Sequence, residues 1–427
     1  MLSDVEAWVR AARLPPSTSL RMSLLGFLAC VFCTVSATAQ ELVPLPPQPA
    51  GLAWPTAGWT TGVMSPDTAA KIQPLIDRAM AGTPDDEMGE TRAVVIIHHG
   101  RLVAEAYRDG FDAGTKQISW SMAKSVTSSL VGRAVQLGLV ADIDAPMPTP
   151  FGADDPRAQI TWRQWLTMTD GLDYLEIGAP DLMHNDVVQM MYGPGRFDVI
   201  DYIKTELPPA HPPGTVWNYS TAGFHLIGRA LQDTLGHRIY CSTAAINASD
   251  GELAPPTGCG PADAPMAEWI RESLFDPLGM DAIVEFDAAG TYLGGSLVWA
   301  SARDFAKFGY LYLRDGVWDG QRLLPEGWVD FARTDPDATE ATVYGAGFWL
   351  TPENAIPSGQ AADSPPYDAF AAQGHEGQTI WIVPSRDLVI VRLGLTGESE
   401  GAWPALFEWN QEIARAFPES GGGTGAE

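Results

Sequence analysis

Ser121 and Lys124 stand three residues apart in S-W-S-M-A-K-S-V-T-S (119–128), within a run of small and apolar residues. A serine hydroxyl attacks a carbonyl only when a base takes its proton. A lysine can be that base only if its pKa falls, through burial or a neighbouring cation. The chain holds five lysines (71, 116, 124, 204 and 307), and Ser121 is the only serine with a lysine three places on. Residues three apart share a helix face, so the pair meets if this segment is helical. Taken alone, the tetrapeptide reads equally well as a helix lysine that snorkels to water.

Two further segments carry residues of the same chemistry. In P-P-G-T-V-W-N-Y-S-T-A-G-F (212–224), Tyr219 follows a Pro-Gly turn at the mouth of a helix. A phenol held near an ammonium is stabilised as a phenolate, which makes Tyr219 a candidate general base; a buried tyrosine with a bonded hydroxyl is the plainer reading. In A-Q-G-H-E-G-Q-T-I-W-I-V-P (372–384), Gly374 and Gly377 flank His375, placed at the start of a strand. A glycine there lets a substrate approach the backbone. The N–H groups of Ser121 and Gln378 are the candidate oxyanion donors, and His375 a pocket residue that donates or titrates.

These residues need rigid elements. Met122, Val126, Leu130, Ala134 and Leu137 recur on one face and Gly138 follows, which predicts a buried helix beginning at the serine. Ile72, Leu75, Ile76 and Met80 predict another over 66–81. A-V-V-I-I-H-H-G-R-L-V-A-E-A-Y (93–107) predicts a hairpin turning at His-Gly-Arg. Helices are expected at 162–168, 197–206, 220–235, 266–275 and 402–416. Strands are expected in Y-G-A-G-F-W-L, G-Q-T-I-W-I-V-P and D-L-V-I-V-R-L-G, the last two joined by a turn at P-S-R-D. Sheet segments at both ends with helices between them predict an antiparallel sheet closed by the N- and C-terminal parts, with a mainly helical subdomain at about 140–280 inserted.

The chain has 427 residues, 10% of them aromatic, and a formal net charge of -27. So acidic a surface disfavours nucleic acid and anionic membranes as partners. Arg10, Arg13 and Arg21 precede the apolar run from Met22, and Ala37-Thr38-Ala39 follows it. That pattern predicts a signal peptide over 1–39 cleaved near Ala39, with Met22 an alternative start, and hence a periplasmic or secreted protein with no stable membrane association after cleavage. An extended lead-in (40–64), a hydrolase domain (65–418) and a tail (419–427) follow. Cys241 and Cys259 flank a Ser/Ala/Gly/Pro-rich stretch, and a disulfide between them is expected in an oxidising compartment. No metal-ligand spacing appears.

Together, Ser121-Met122-Ala123-Lys124, Tyr219-Ser220-Thr221 and His375-Glu376-Gly377 resemble the serine β-lactamase and penicillin-binding-protein superfamily, in its class C-like branch. L-T-M-T-D-G-L (166–172) and G-G-S-L-V-W-A-S-A-R-D-F-A-K-F-G (294–309) extend the likeness over about 65–415. The branch includes D,D-peptidases, family VIII carboxylesterases and 6-aminohexanoate-dimer hydrolases. The resemblance implies an α/β sandwich (α+β) with a helical subdomain, the site between them, Ser121, Lys124 and Tyr219 as catalytic residues, and no cofactor. It departs where Thr221 replaces the branch's frequent Asn and where His375-Glu376-Gly377 replaces its frequent Lys-Thr-Gly. Both changes point away from a carboxylate-bearing β-lactam. Thr221, His375, Gly377, Asp173 and Tyr174 are then substrate-binding candidates, and Asp170, in the same D-G-L-D-Y stretch, could face the pocket with the last two. The expected activity is a serine hydrolase acting on a small-molecule amide or ester through an acyl-enzyme, most like the 6-aminohexanoate-dimer hydrolases. Carboxylesterase, D,D-peptidase and β-lactamase activities are alternatives within the enzyme class. From another class, the alternative is a non-catalytic penicillin-binding-like sensor.

Overall fold

The computed structural model describes residues 42–236, 264–336, 344–350, 368–397 and 402–420. The expected signal peptide, the Cys241–Cys259 pair and most of the tail lie outside the described residues.

The backbone of the fold is a six-stranded antiparallel sheet, its strands ordered Arg101–Tyr107, Glu90–His98, Leu388–Leu395, Gln378–Val383, Phe370–Gly374 and Trp349–Leu350. β1 (Glu90–His98) and β2 (Arg101–Tyr107) form the expected hairpin. His99 (φ 48°) and Gly100 (φ 71°) turn it, both in the left-handed region that tight hairpin turns demand. After two small sheets, one of β3 (Gln117–Ile118), β4 (Ile283–Val284) and β5 (Val298–Ala300) and one of β6 (Val317–Trp318) and β7 (Gln321–Arg322), the C-terminal part supplies β8 (Trp349–Leu350), β9 (Phe370–Gly374), β10 (Gln378–Val383) and β11 (Leu388–Leu395). β1 pairs with β11, Val95 opposite Val391, so the two ends of the chain close one sheet.

Strand side chains alternate between faces, and two layers result. Val94, Ile96, Trp381 and Ile390 face helix α1 (Pro66–Ala81) and the C-terminal helix Ala402–Ala416, through Ile72, Ile76, Leu406 and Trp409. Val95, Ile97, Ile380 and Val391 belong instead to the larger core. That core contains α2 (Met122–Gln136) and the helix Ala302–Leu313. Each such apolar side chain contributes roughly 1.5–3 kcal/mol by leaving water.

The mainly helical region carries α3 (Trp162–Leu166), α4 (Asp186–Met191), α5 (Val199–Glu206) and α6 (Thr221–Thr234). A helix over Ala264–Ile270 continues as a π-type turn through Phe275. α2 runs between this region and the sheet and is buried on every side from Met122 to Ala134. Its hydroxyls are therefore committed: Thr127 Oγ1 donates to Gly294 O (2.7 Å), Ser125 Oγ to Gly347 O (2.6 Å) and Ser128 Oγ to Ala346 O (2.9 Å). Buried polar groups need such partners.

Two strand expectations are corrected. His375 does not start a strand: β9 ends at Gly374, and His375–Gly377 forms the turn before β10. Of Y-G-A-G-F-W-L only Trp349–Leu350 is strand, pairing with Ala371 and Phe370. β8 thus stops short. Ala372–Gly374 has the start of α2 beside it instead.

Candidate active site

The chain enters α2 through a short strand, β3 (Gln117–Ile118), on β5 (Val298–Ala300). Ser119 extends that pairing: its N–H donates to Val298 O (2.8 Å) and its Oγ accepts from Val298 N–H (2.9 Å). Trp120 then turns in the left-handed region (φ 44°), a conformation that costs a non-glycine residue of order 1–3 kcal/mol and gathers at functional sites. Ser121 is the residue after this turn, at the N-cap of α2, half-buried and on the cavity wall. No side chain caps the helix there.

One turn on, Lys124 is wholly buried. Its Nζ lies 2.8 Å from Ser121 Oγ, 2.8 Å from Thr221 Oγ1 and 2.9 Å from Gly295 O. Burial lowers its pKa from 10.5 to about 8, against a smaller opposing pull from the Glu176 carboxylate. The fit at Gly295 is tight: a Cβ there would meet Thr221 O at 2.8 Å. The Gly295 N–H donates to His225 Nδ1 (3.3 Å), and His225 Nε2 lies 3.2 Å from Met191 Sδ. Burial, aided by Lys124, pushes His225 down to about 3. His225 is therefore neutral and accepts at Nδ1.

Tyr219 sits in front of the pair, on the same cavity wall as Ser121, whose side chain acts on the phenol. The Lys124 ammonium lies over the ring face, 4.8 Å from its centroid, and Trp349 stacks on the ring at 5.4 Å. The expected phenolate is corrected here. Burial and the nearby Glu176 carboxylate drive the Tyr219 pKa far upward, and only the Ser121 side chain opposes them. The phenol stays protonated over the whole working range.

Glu176 is the residue that sequence reasoning missed. Its carboxylate accepts from Tyr174 Oη–H (2.9 Å), Thr221 N–H (3.1 Å) and Thr221 Oγ1–H (3.1 Å). It satisfies a free N–H in the first turn of α6, where an anion is favoured. A signal existed in D-Y-L-E: residues two apart on an extended segment share a face, so Tyr174 and Glu176 point the same way.

The remaining expected residues divide. His375 lines the cavity, its ring edge-on to Trp120 at 5.3 Å. Thr221 lines it too, with its hydroxyl committed to Lys124 and Glu176. The Gln378 N–H, the expected second oxyanion donor, is corrected: Gln378 is 2% exposed, pairs with Gly374 where β10 begins, does not line the cavity, and turns its side chain to Gly394 O (2.6 Å). Gly377 is also elsewhere, packed on Thr396 and Arg392, with its carbonyl accepting from Arg392 Nη1 (3.1 Å). The residue of this stretch that does reach the serine is Gly374: a Cβ on it would meet Ser119 O at 2.1 Å and Ser121 N at 3.1 Å. Asp173 is exposed and away from the cavity wall. Tyr174 is buried behind Glu176. Asp170 is buried off the wall, accepts from Leu172 N–H (3.0 Å), and is pushed by burial to about 6.

The cavity holds about 320 Å³. Its wall is largely apolar, with Ile177, Val187, Val188 and Met191 on the helical side, Trp381 on β10 and Phe407 on the C-terminal helix. Glu176 is its carboxylate, and no lysine or arginine is among the described residues that line it. Among the described residues, no group of three or more His, Cys, Asp or Glu side chains is placed to hold a metal, and no helix is long and apolar enough to cross a membrane.

Residues 76–244 match the family model described as Beta-lactamase. The 6-aminohexanoate-dimer hydrolase of Paenarthrobacter ureafaciens is 24% identical over 373 residues, 81% of this chain and 82% of that protein. Among solved structures, the putative 6-aminohexanoate-dimer hydrolase from Bacillus anthracis superposes with a TM-score of 0.59 at 18% identity, over 86% of this chain and 91% of that one. A putative beta-lactamase from Bacteroides dorei gives 0.55 at 17% identity, over 81% and 98%. These structures share the mixed fold, an antiparallel sheet flanked by helices.

Proposed function

We propose that the chain, which matches the Beta-lactamase family model over residues 76–244 and shares the fold of the putative 6-aminohexanoate-dimer hydrolase from Bacillus anthracis, is a serine hydrolase. It opens an amide or ester bond through an acyl-enzyme on Ser121. The observation that carries this reading is the set of three partners around Lys124 Nζ. Gly295 O can only accept. Thr221 Oγ1 spends its hydrogen on Glu176, so toward Lys124 it accepts as well. A neutral amine has two N–H groups and one lone pair. Both N–H groups are taken, and the lone pair is left facing Ser121 Oγ.

The steps follow from that geometry. Ser121 Oγ attacks the carbonyl carbon while its proton passes to Lys124. The oxyanion forms at the α2 N-terminus, where the Ser121 N–H and the positive end of the helix favour it. The protonated pair, with Tyr219 as a neutral phenol relay, returns a proton to the leaving amine or alkoxide. Water, deprotonated along the same path, then frees Ser121. Tyr219 acts here by passing a proton on, not as a standing base.

The cavity supports neutral or amine-bearing substrates. With Glu176 in its wall and no lysine or arginine among the described residues that line it, a carboxylate-bearing substrate finds repulsion rather than a partner. An amide or ester hydrolase related to the 6-aminohexanoate-dimer hydrolases fits this better than a β-lactamase or D,D-peptidase. Action outside the cytoplasm is part of the proposal and rests on the n-region, apolar run and Ala37-Thr38-Ala39 of the sequence.

The test is covalent labelling. A fluorophosphonate probe is expected to modify Ser121, located by peptide mass spectrometry, and Ser121→Ala is expected to lose both labelling and hydrolysis of p-nitrophenyl butyrate at unchanged melting temperature. Folded wild-type protein that gains no adduct on Ser121 would favour a non-catalytic binder.

A further inference from the structure

Lys124 is useful to Ser121 only if its lone pair points there, and the lysine does not fix that direction itself. Thr221 can hydrogen-bond either way round. With its hydrogen toward Lys124 it would occupy the amine's lone pair, and the amine would have to donate to Ser121 instead. What turns Thr221 is the carboxylate on its other side. A carboxylate only accepts, and Glu176 takes both the Thr221 N–H and the Thr221 Oγ1–H, at 3.1 Å each. Tyr174 Oη–H, at 2.9 Å, is a third donor on the same group.

We propose that Glu176 is a positioning residue: by accepting the Thr221 hydroxyl proton it sets the direction of the chain Glu176–Thr221–Lys124–Ser121, and so holds the amine's lone pair on the nucleophile. This rests on the hydrolase reading above and names a residue that the sequence pattern of that reading does not contain. The charged and titratable groups facing Lys124 are few. Tyr219 presents its ring, His225 stands neutral behind Gly295, and Glu176 is, among the described residues, the one carboxylate acting on the lysine. Tyr174 and Tyr344 lie within reach of Glu176, both held as phenols by burial.

Glu176→Gln separates this role from simple electrostatics, because the two make opposite predictions. As a charge, Glu176 favours the ammonium, and its loss lowers the Lys124 pKa. More lysine would then be neutral at pH 7, and acylation would speed up. As a direction-setter, its replacement has the reverse effect. The Gln amide oxygen can still take the Thr221 N–H, which leaves the amide NH2 to donate to Thr221 Oγ1. That hydrogen bond turns the Thr221 proton onto Lys124, and acylation slows.

The experiment pairs a titration with a rate. Five lysines make the lysine Cε–Hε region of a carbon-edited NMR spectrum sparse, and Lys124→Met assigns the resonance. In Glu176→Gln the Lys124 midpoint is expected to fall by about one pH unit. Ser121 acylation by p-nitrophenyl butyrate at pH 7 is expected to fall at least about tenfold despite it. Thr221→Val is expected to lose rate likewise, and Thr221→Ser to recover most of it, which guards against a fold defect in any one variant. Acylation in Glu176→Gln at or above the wild-type rate overturns the inference, as does a Lys124 midpoint that does not move. An unlabelled wild-type Ser121 instead sinks the hydrolase reading, while the titration still decides whether Glu176 acts on Lys124.

Discussion

Lys124 is where a single residue's environment sets the chemistry. Its pKa near 8 means that at pH 7 roughly nine lysines in ten are still protonated. The proposed base is the neutral minority, so kcat/KM for an uncharged ester is expected to rise tenfold per pH unit below about pH 8 and to level above it. A flat profile from pH 6 to 9 would assign the base elsewhere. The same burial has a thermodynamic signature. From about pH 8 to the ordinary 10.5 the unfolded chain binds a proton that the native protein does not. Stability therefore gains a component that rises with pH across that window. Lys124→Met removes it, so the urea midpoint of the wild type is expected to climb relative to the variant between pH 7.5 and 10. Comparing the two proteins cancels the remaining titrating groups.

At the scale of elements, the site depends on how closely the end of β9 meets the start of α2. Gly374 allows that approach by having no Cβ, since one would fall 2.1 Å from a backbone oxygen that cannot swing aside. Gly374→Ala is therefore expected to push β9 and the Ser121 turn apart by a few tenths of an ångström or more. The expected reading is a loss of about a hundredfold in kcat/KM, with a melting temperature lowered by only a few degrees. Gly152→Ala, where a Cβ meets nothing within 4 Å, is the neutral comparison. Much of this arrangement was legible beforehand. Apolar recurrence from Met122 gave α2, and the apolar runs gave β1, β10 and β11. The end of β9 was not: F-A-A-Q-G has small residues and no alternation, so nothing in it marks where strand gives way to turn. That is why Gln378 was favoured over the Gly374–His375 corner. Glu176 was hidden for a different reason. Its partner Thr221 is 45 residues away, and a hydrogen bond across that separation leaves no periodicity in the chain. The phenolate at Tyr219 failed because its pKa follows from the depth of burial, which spacing does not convey.

The whole molecule adds a long-range field to these local effects. A net charge of -27 surrounds a cavity whose own described wall contains a carboxylate and neither lysine nor arginine. At the mouth, Tyr192 feels both Glu285 and Glu376. A diffusing cation is therefore drawn toward the site and an anion held off. Two esters of one size separate the contributions: a butyrate-type ester ending in a primary amine and its counterpart ending in a carboxylate. At low ionic strength the amine is expected to lead in kcat/KM by at least about tenfold. Salt then shrinks that ratio, because charges more than about 10 Å apart are screened at 0.1 M. The share due to the molecular field should vanish by about 0.5 M salt. What survives belongs to Glu176, since a half-buried carboxylate on the cavity wall is screened far less than the surface. Glu176→Gln in high salt should then bring the two esters nearly level. If the carboxylate ester leads at any ionic strength, the substrate must meet a cation outside the described wall, and the preference for neutral and amine-bearing substrates falls.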